Sequence, residues 1–226
     1  MSEPDQALWL DLIKVEHGNV RAALAWALEA GYGESAADLA GALWRYWDVS
    51  GFLSEGRGWL DAALAASPPH SLPRARGLTA DGYLALVQGD VSTACDLLEQ
   101  GLALSRELGD ELSIGTALVI LGMAARKRGS LGLAEDLVQE ALSIARAARH
   151  RLGTYSALYV LASVAHLRGY HERAVALHEE SLLLKREHGD IWSTAVSLSS
   201  VATLALEHGD ADHARALLTE SLRLRT

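Results

Sequence analysis

The chain has 226 residues, half of them apolar, and a formal charge of -9. That is enough apolar mass to bury a large core, and the acidic balance argues against nucleic-acid binding, which needs clustered Lys and Arg against phosphate. Lys14, Lys127 and Lys185 are the only lysines, and Cys95, being alone, excludes an internal disulfide and fits a reducing compartment. The start, Ser2-Glu3-Pro4-Asp5, is acidic and polar, without the basic-then-apolar order of a secretory signal. The longest apolar run, 117–125, is far too short to span a bilayer. The expected location is the cytoplasm.

Apolar residues recur at three and four along the chain, with no alternating strand pattern, so the expected fold class is all-α. In chain order the pattern predicts helices over 4–15 and 19–30, then an inner helix over 35–50 and an outer one over 53–66. Five of the six tryptophans fall in this stretch: Trp9, Trp26, Trp44, Trp47 and Trp59. Their helical spacing makes core packing the expectation. Pro68, Pro69 and Pro73 are expected to shorten the outer helix and start the next inner one. Two regions follow: 1–66, the N-terminal hairpins, and 67–226, continuous with them.

The second region repeats. Gly89, Gly129, Gly169 and Gly209 lie 40 residues apart, and Ala94, Ala134, Ala174 and Ala214 keep the same register. So do Leu102, Leu142, Leu182 and Leu222, and Ala85, Ala125, Ala165 and Ala205. Fixed offsets of small and apolar residues mean recurring packing contacts, the mark of stacked supersecondary units. Each unit holds two helices: an inner one over 112–128 or 152–168, and an outer one over 131–148 or 171–188. The turn glycine ends the inner helix by taking the left-handed conformation at no steric cost. Asp90 and Asp210 are placed to cap the following outer helices, and Asp110 and Asp190 the following inner ones. The alanine series marks the crossing of the two helices. An imperfect earlier unit carries Gly51, Gly56, Leu60, Ala63 and Leu64, giving six hairpins and about 12 helices in total.

These offsets resemble the tetratricopeptide repeat, although the period alone also allows HEAT or armadillo repeats. The first slot holds Leu78, Leu118, Leu158 and Leu198, and the small slot holds Gly82, Gly122, Ala162 and Ala202. The tyrosine slot is alanine throughout, and the proline that ends the family's outer helix is Arg106, Arg146 and Arg186. Without that proline the helix can run further, which accounts for the long period. The resemblance implies a right-handed solenoid of helical hairpins. In the first unit Trp44 falls in the small slot, so that hairpin is expected to be splayed or differently packed.

A second resemblance is carried by Trp9-Leu10-Asp11, by the run from Glu16-His17-Gly18-Asn19 to Trp26-Ala27-Leu28, by Leu39 to Trp47, and by Gly56-Arg57-Gly58-Trp59-Leu60. This signature is similar to the start of the repeat region in bacterial signal-transduction ATPases of the LuxR-type and AfsR-like regulators. Gly18 departs from it, where the family usually has aspartate. The resemblance implies a partner-binding or sensor arm of a larger transcriptional regulator, with other domains of that regulator as partners. The end at Arg225 and Thr226, without a polar cap, suggests either further protein or self-association through that face.

Catalytic motifs are missing: no phosphate loop, no Gly-x-Ser-x-Gly turn and no His-Glu-x-x-His pair occurs. A non-enzymatic protein without cofactor or metal is expected. The ligand types in His208-Gly209-Asp210-Ala211-Asp212-His213 fall on the repeated turn and cap, so a solvated turn is expected there. His178 occupies a slot filled elsewhere by Leu98, Val138 and Leu218, and is expected to be a hydrogen-bonded core histidine. In a tetratricopeptide-type solenoid the inner helices line the concave groove. The register assigns to it Arg76, Thr79, Tyr83, Leu86, Thr116, Val119, Met123, Arg126, Ser156, Tyr159, Ser163, His166, Ser199 and Thr203. This surface of hydroxyls, tyrosines and modest apolar area lacks the Lys and Asn set by which some tetratricopeptide domains clamp a C-terminal carboxylate. A protein or peptide segment is the expected occupant, with direct nucleic-acid and membrane contact excluded. The two functional readings are a sensor module of a bacterial transcriptional regulator and a free-standing tetratricopeptide scaffold.

Overall fold

A computed structural model describes residues 6–224. In chain order its helices are α1 (Gln6–Val15), α2 (His17–Glu29), α3 (Gly33–Ala42), α4 (Trp44–Val49), α5 (Leu53–Ala66), α6 (Leu72–Gln88) and α7 (Val91–Leu108). They continue with α8 (Glu111–Lys127), α9 (Leu131–Ala147), α10 (Arg151–Leu167), α11 (His171–His188), α12 (Ile191–Glu207) and α13 (Ala211–Arg223). No strand occurs among the described residues. The expectation of an all-α hairpin solenoid holds. The start of the first predicted helix, at Pro4, and the chain end at Arg225 and Thr226 lie outside the described residues.

Local chemistry sets the hairpins. Gly89 closes α6 with a φ of 90°, and Asp90 then accepts from Thr93 N at 3.1 Å to cap α7. Asp110, Asp190 and Asp210 cap α8, α12 and α13 in the same way, accepting from Ser113 N, Ser193 N and His213 N. Three of the repeat turns depart: Ser130, His150 and Tyr170 make no side-chain cap before α9, α10 and α11, and ahead of α10 Arg149 takes a φ of 52° where Gly109 and Gly189 stand elsewhere. Inner helices stack in order, α3 on α6, α6 on α8 and α8 on α10, while α7, α9, α11 and α13 each pack on the preceding inner helix.

Crossings depend on small residues. Ala94, Ala134, Ala174 and Ala214 are fully buried. A Cβ on Gly122 would collide with Val138 Cγ2 and lie 3.3 Å from the Ala134 carbonyl oxygen. Because backbone bounds one side of that gap, Gly122→Leu is expected to overpack the hairpin and cost about 1–3 kcal/mol. Urea denaturation reads this as a lowered midpoint; an unchanged midpoint would contradict the crossing.

The first repeat is built in reverse. Instead of one helix over 35–50, the chain breaks at Leu43, whose amide bonds to the Ala40 carbonyl at 3.3 Å, and α3 and α4 follow separately. Trp47 on the inner side is fully buried, and a Cβ on Gly56 would lie 2.5 Å from its ring. Here the bulky partner sits on the inner helix and the small one on the outer. The break turns Trp44 toward the concave side, so this hairpin is indeed packed differently. The expectation of tryptophan core packing is only partly met: Trp9 and Trp26 are 52% and 62% exposed. Both lie on the terminal helix pair, which has stacked neighbours on one side alone.

On the convex side the arginines in the proline slot form a ladder between successive outer helices. Arg106 reaches Glu140 at 2.8 Å, Arg146 reaches Glu180 at 2.8 Å and Arg186 reaches Glu220 at 2.6 Å. All are about half exposed, and exposed pairs of this kind contribute about 0.2–1 kcal/mol each. No helix among the described residues is long and apolar enough to cross a membrane.

Candidate ligand-binding recess on the concave face

The concave wall is not uniform because the repeat slots are not filled uniformly. The slot held by Ala75 and Ala195 is Gly115 in α8 and Tyr155 in α10, and the slot held by Ser105 and Ala145 is Lys185 in α11. Where Gly115, Gly153, Ala141 and Ala145 leave volume unfilled, a recess of about 180 Å³ opens between α8 and α10 and reaches the outer helices. It adjoins a second recess of about 330 Å³ between α3, α6 and α8. Trp44, Tyr83, Leu112, Thr116, Ile120 and His150 border both.

Of the residues assigned to the groove from the register, Arg76, Thr79, Tyr83 and Thr116 line the larger recess. Tyr83 and Thr116 recur in the smaller one with Val119, Met123, Ser156 and Tyr159. Leu86 does not reach the surface: it is 1% exposed and belongs to the core between α6 and α8. Arg126, Ser163, His166, Ser199 and Thr203 lie outside both recesses, further along the inner helices. His166 instead pairs with Glu207 at 3.3 Å, and Ser163 bonds back to the Tyr159 carbonyl.

The register missed Trp44, Arg45, Leu112, Ile120, His150 and Lys185. Trp44 stands edge-on to Tyr83, with ring centroids 4.7 Å apart, and the Tyr83 hydroxyl donates to Asp48 at 2.7 Å. Burial, then the neighbouring Asp48 carboxylate, pushes the Tyr83 phenol pKa well up, so it stays a donor. Arg45 spans the superhelix. Its guanidinium donates to Asp190 at 2.8 and 3.1 Å and to Ser193 Oγ at 2.8 Å, linking the first complete hairpin to the last. The Tyr155 hydroxyl donates to the same carboxylate at 2.7 Å. Burial opposes ionisation of Asp190, but Arg45, Tyr155 and Ser193 outweigh it and hold its pKa below the usual carboxylate value.

Beside this clasp lie two buried bases. Lys185, 2% exposed, donates to Ser197 Oγ at 2.6 Å, with its ammonium 4.4 Å from the Tyr159 ring centroid and 5.5 Å from that of Tyr155. Burial lowers its pKa to about 8, against the pull of Asp190. His178 is 2% exposed, packs edge-on to Tyr159 and has no partner for Nδ1. Burial, then the charge of Lys185, lowers its pKa to about 4. The expected burial is met, but the expected hydrogen bond is missing at Nδ1, where a buried ring nitrogen usually finds one.

Chemically the recess is an apolar pocket with a few convergent polar groups, the composition of a binding site. Nothing in it aligns a nucleophile with a base. Among the described residues no group of three or more His, Cys, Asp or Glu side chains is placed to hold a metal. In the stretch 208–213, Asp210 serves as the cap of α13.

No family model matches the chain. Over 122 residues, half of this chain, it is 33% identical to proteins of Mycobacterium tuberculosis and Mycobacterium bovis described as HTH-type transcriptional regulators. The chain spans 14% of the length of these curated relatives. Among solved structures, BtubC from P. vanneervenii superimposes with a TM-score of 0.70 at 16% identity, covering 94% of this chain and 91% of that one. A Rap protein complexed with Competence and Sporulation Factor gives a TM-score of 0.74 at 12% identity, over 83% of this chain and 52% of that one. At such identities these likenesses show the fold, which is tetratricopeptide-like.

Proposed function

We propose that this chain is a non-enzymatic interaction module that receives a protein or peptide segment along its concave inner-helix face. The observation that carries the reading is the aromatic and apolar recess bordered by Trp44, Tyr83, Val119, Met123 and Tyr159, with Thr116 and Ser156 in its wall. Aromatic anchors beside adaptable hydroxyls suit the burial of a few side chains from an extended or helical segment. The fold is shared with Rap proteins whose solved structures hold the Competence and Sporulation Factor and the Phr* peptide, which supports a peptide-sized occupant here.

This reading needs no ATPase or DNA-binding part, and so fits a scaffold. A second reading, the arm of a larger transcriptional regulator, is favoured by the 33% identity over 122 residues to the mycobacterial regulators. In both, the groove does the binding.

Tyr83 and Tyr159 bond to Asp48 and Ser200, so truncating them would disturb the wall itself. Thr116, exposed, and Ser156, half-buried, are better probes. Selection of a random-peptide display library on the immobilised chain is expected to return sequences whose affinity falls at least tenfold in Thr116→Arg and Ser156→Arg. Unfolding midpoints of both variants should stay near wild type. Selected peptides that bind both folded variants as well as wild type would move the site off this face, and failure to select any would overturn the reading.

A further inference from the structure

We infer that the segment received by this face is anchored by one phenylalanine side chain in the smaller recess, with basic residues beside it, and that Gly115 sets this preference. The inference rests on the groove reading and names its occupant. Gly115 lies inside α8, where glycine weakens a helix relative to alanine, and the same slot holds Ala75 and Ala195 in other units. Packing does not ask for it. A Cβ there would meet nothing closer than Ile144 Cγ2, at 3.8 Å, whereas on the same helix Val138 leaves no room for a Cβ on Gly122. The bare backbone at 115 keeps the recess open between α8, α9 and α10.

Size and lining choose the side chain. An apolar cavity of about 150 Å³ holds one benzene ring, and this recess measures about 180 Å³. Val119, Met123, Ala141, Ile144 and Val160 supply apolar contacts, and Trp44, Tyr83 and Tyr159 add rings suited to meet a phenyl edge. An indole adds a second ring and overfills the space; an alanine leaves it empty. Charge sets the flanks. Asp190 holds Arg45 and also favours the charged form of Lys185, Asp110 pairs with Arg76, and Asp48 accepts from Tyr83. Asp38 borders the larger recess and Glu111 the smaller, both exposed, and neither makes an ion pair with a described residue. A chain of charge -9 draws lysine or arginine toward these two carboxylates.

The tightest peptide returned by the display selection, measured on the full chain by fluorescence anisotropy, tests the assignment. Selected sequences are expected to share one phenylalanine with lysine or arginine beside it. Replacing that phenylalanine by alanine or tryptophan should cost at least tenfold in affinity. Glutamate in place of the basic flanks should also weaken binding, and that loss should shrink in high salt. Gly115→Ala should raise the unfolding midpoint while weakening the phenylalanine peptide, two shifts that a purely structural glycine would not combine. Gly115→Leu should erase the difference between the phenylalanine and alanine peptides. Selected peptides without a shared phenylalanine, a preference that survives in folded Gly115→Leu, or undiminished binding of the glutamate-flanked version would each overturn the inference. If such peptides still lose affinity in Thr116→Arg and Ser156→Arg, the groove reading stands without it; failure to select any peptide overturns both. Should Gly115→Leu not fold, Gly115→Ala and the peptide series decide.

Discussion

Arg45→Met is expected to lower the unfolding free energy by about 3–5 kcal/mol, the range seen when one partner of a buried ion pair is removed. The cost arises at the other end of the pair. The Asp190 side chain is 3% exposed, and without the guanidinium its charge rests on the Tyr155 hydroxyl, the Ser193 amide and weaker neighbours. Asp190 also caps α12, so its disturbance loosens the start of the last inner helix. Arg76, which pairs with Asp110 at 3.8 Å and is half exposed, is the comparison: Arg76→Met removes an equal charge at a solvated cap and should cost under about 1 kcal/mol. Urea unfolding of both variants measures the difference. Equal, small losses would mean that the bridge across the superhelix contributes nothing to stability.

The second large effect is a loss of stability in mild acid, traced to His178. Its pKa falls from 6.5 to about 4 on folding, chiefly through burial, with Lys185 on its own helix and His166 on α10 adding repulsion. Between those two values the unfolded chain binds a proton that the folded chain refuses, so stability is full above pH 6.5 and drains away as the pH drops toward 4. The shift corresponds to about 3 kcal/mol at its limit. Carboxylates elsewhere titrate in the same window, so the measurement is a difference: His178→Leu, which restores the residue type of Leu98 and Leu218 in the equivalent slot, should flatten the profile over that range. A mutant profile parallel to wild type would refute the assignment.

The hairpin architecture was legible because it is written in residues with few alternatives. Gly122 must be small against Val138, Ala134 must be small at its crossing, and the Gly-Asp turns fix both the stop of one helix and the start of the next. The helix break at Leu43 was hidden, since Trp44 and Trp47 satisfy helical spacing equally well with or without it. Much of the recess followed from register, as Tyr83, Thr116 and Tyr159 show. Leu86 was misassigned because one step around an inner helix separates the groove from the core. Lys185 could have been found by comparing it with Ser105 and Ala145. Arg45 and Asp190 could not: their meeting depends on the curvature accumulated over every intervening hairpin, a sum of small rotations that no local pattern encodes.

That meeting also bears on how the molecule loses its structure. A linear stack is held by neighbour-to-neighbour terms, so its ends fray independently and a disturbance at one terminus decays before reaching the other. A bridge over 145 positions of sequence joins the first complete hairpin to the last and ties the opening of one to that of the other. Amide protons in α4 and α12 are then expected to exchange as one cooperative unit, the array opening less like a row of dominoes than like a closed hoop, which must be cut before either end can peel away.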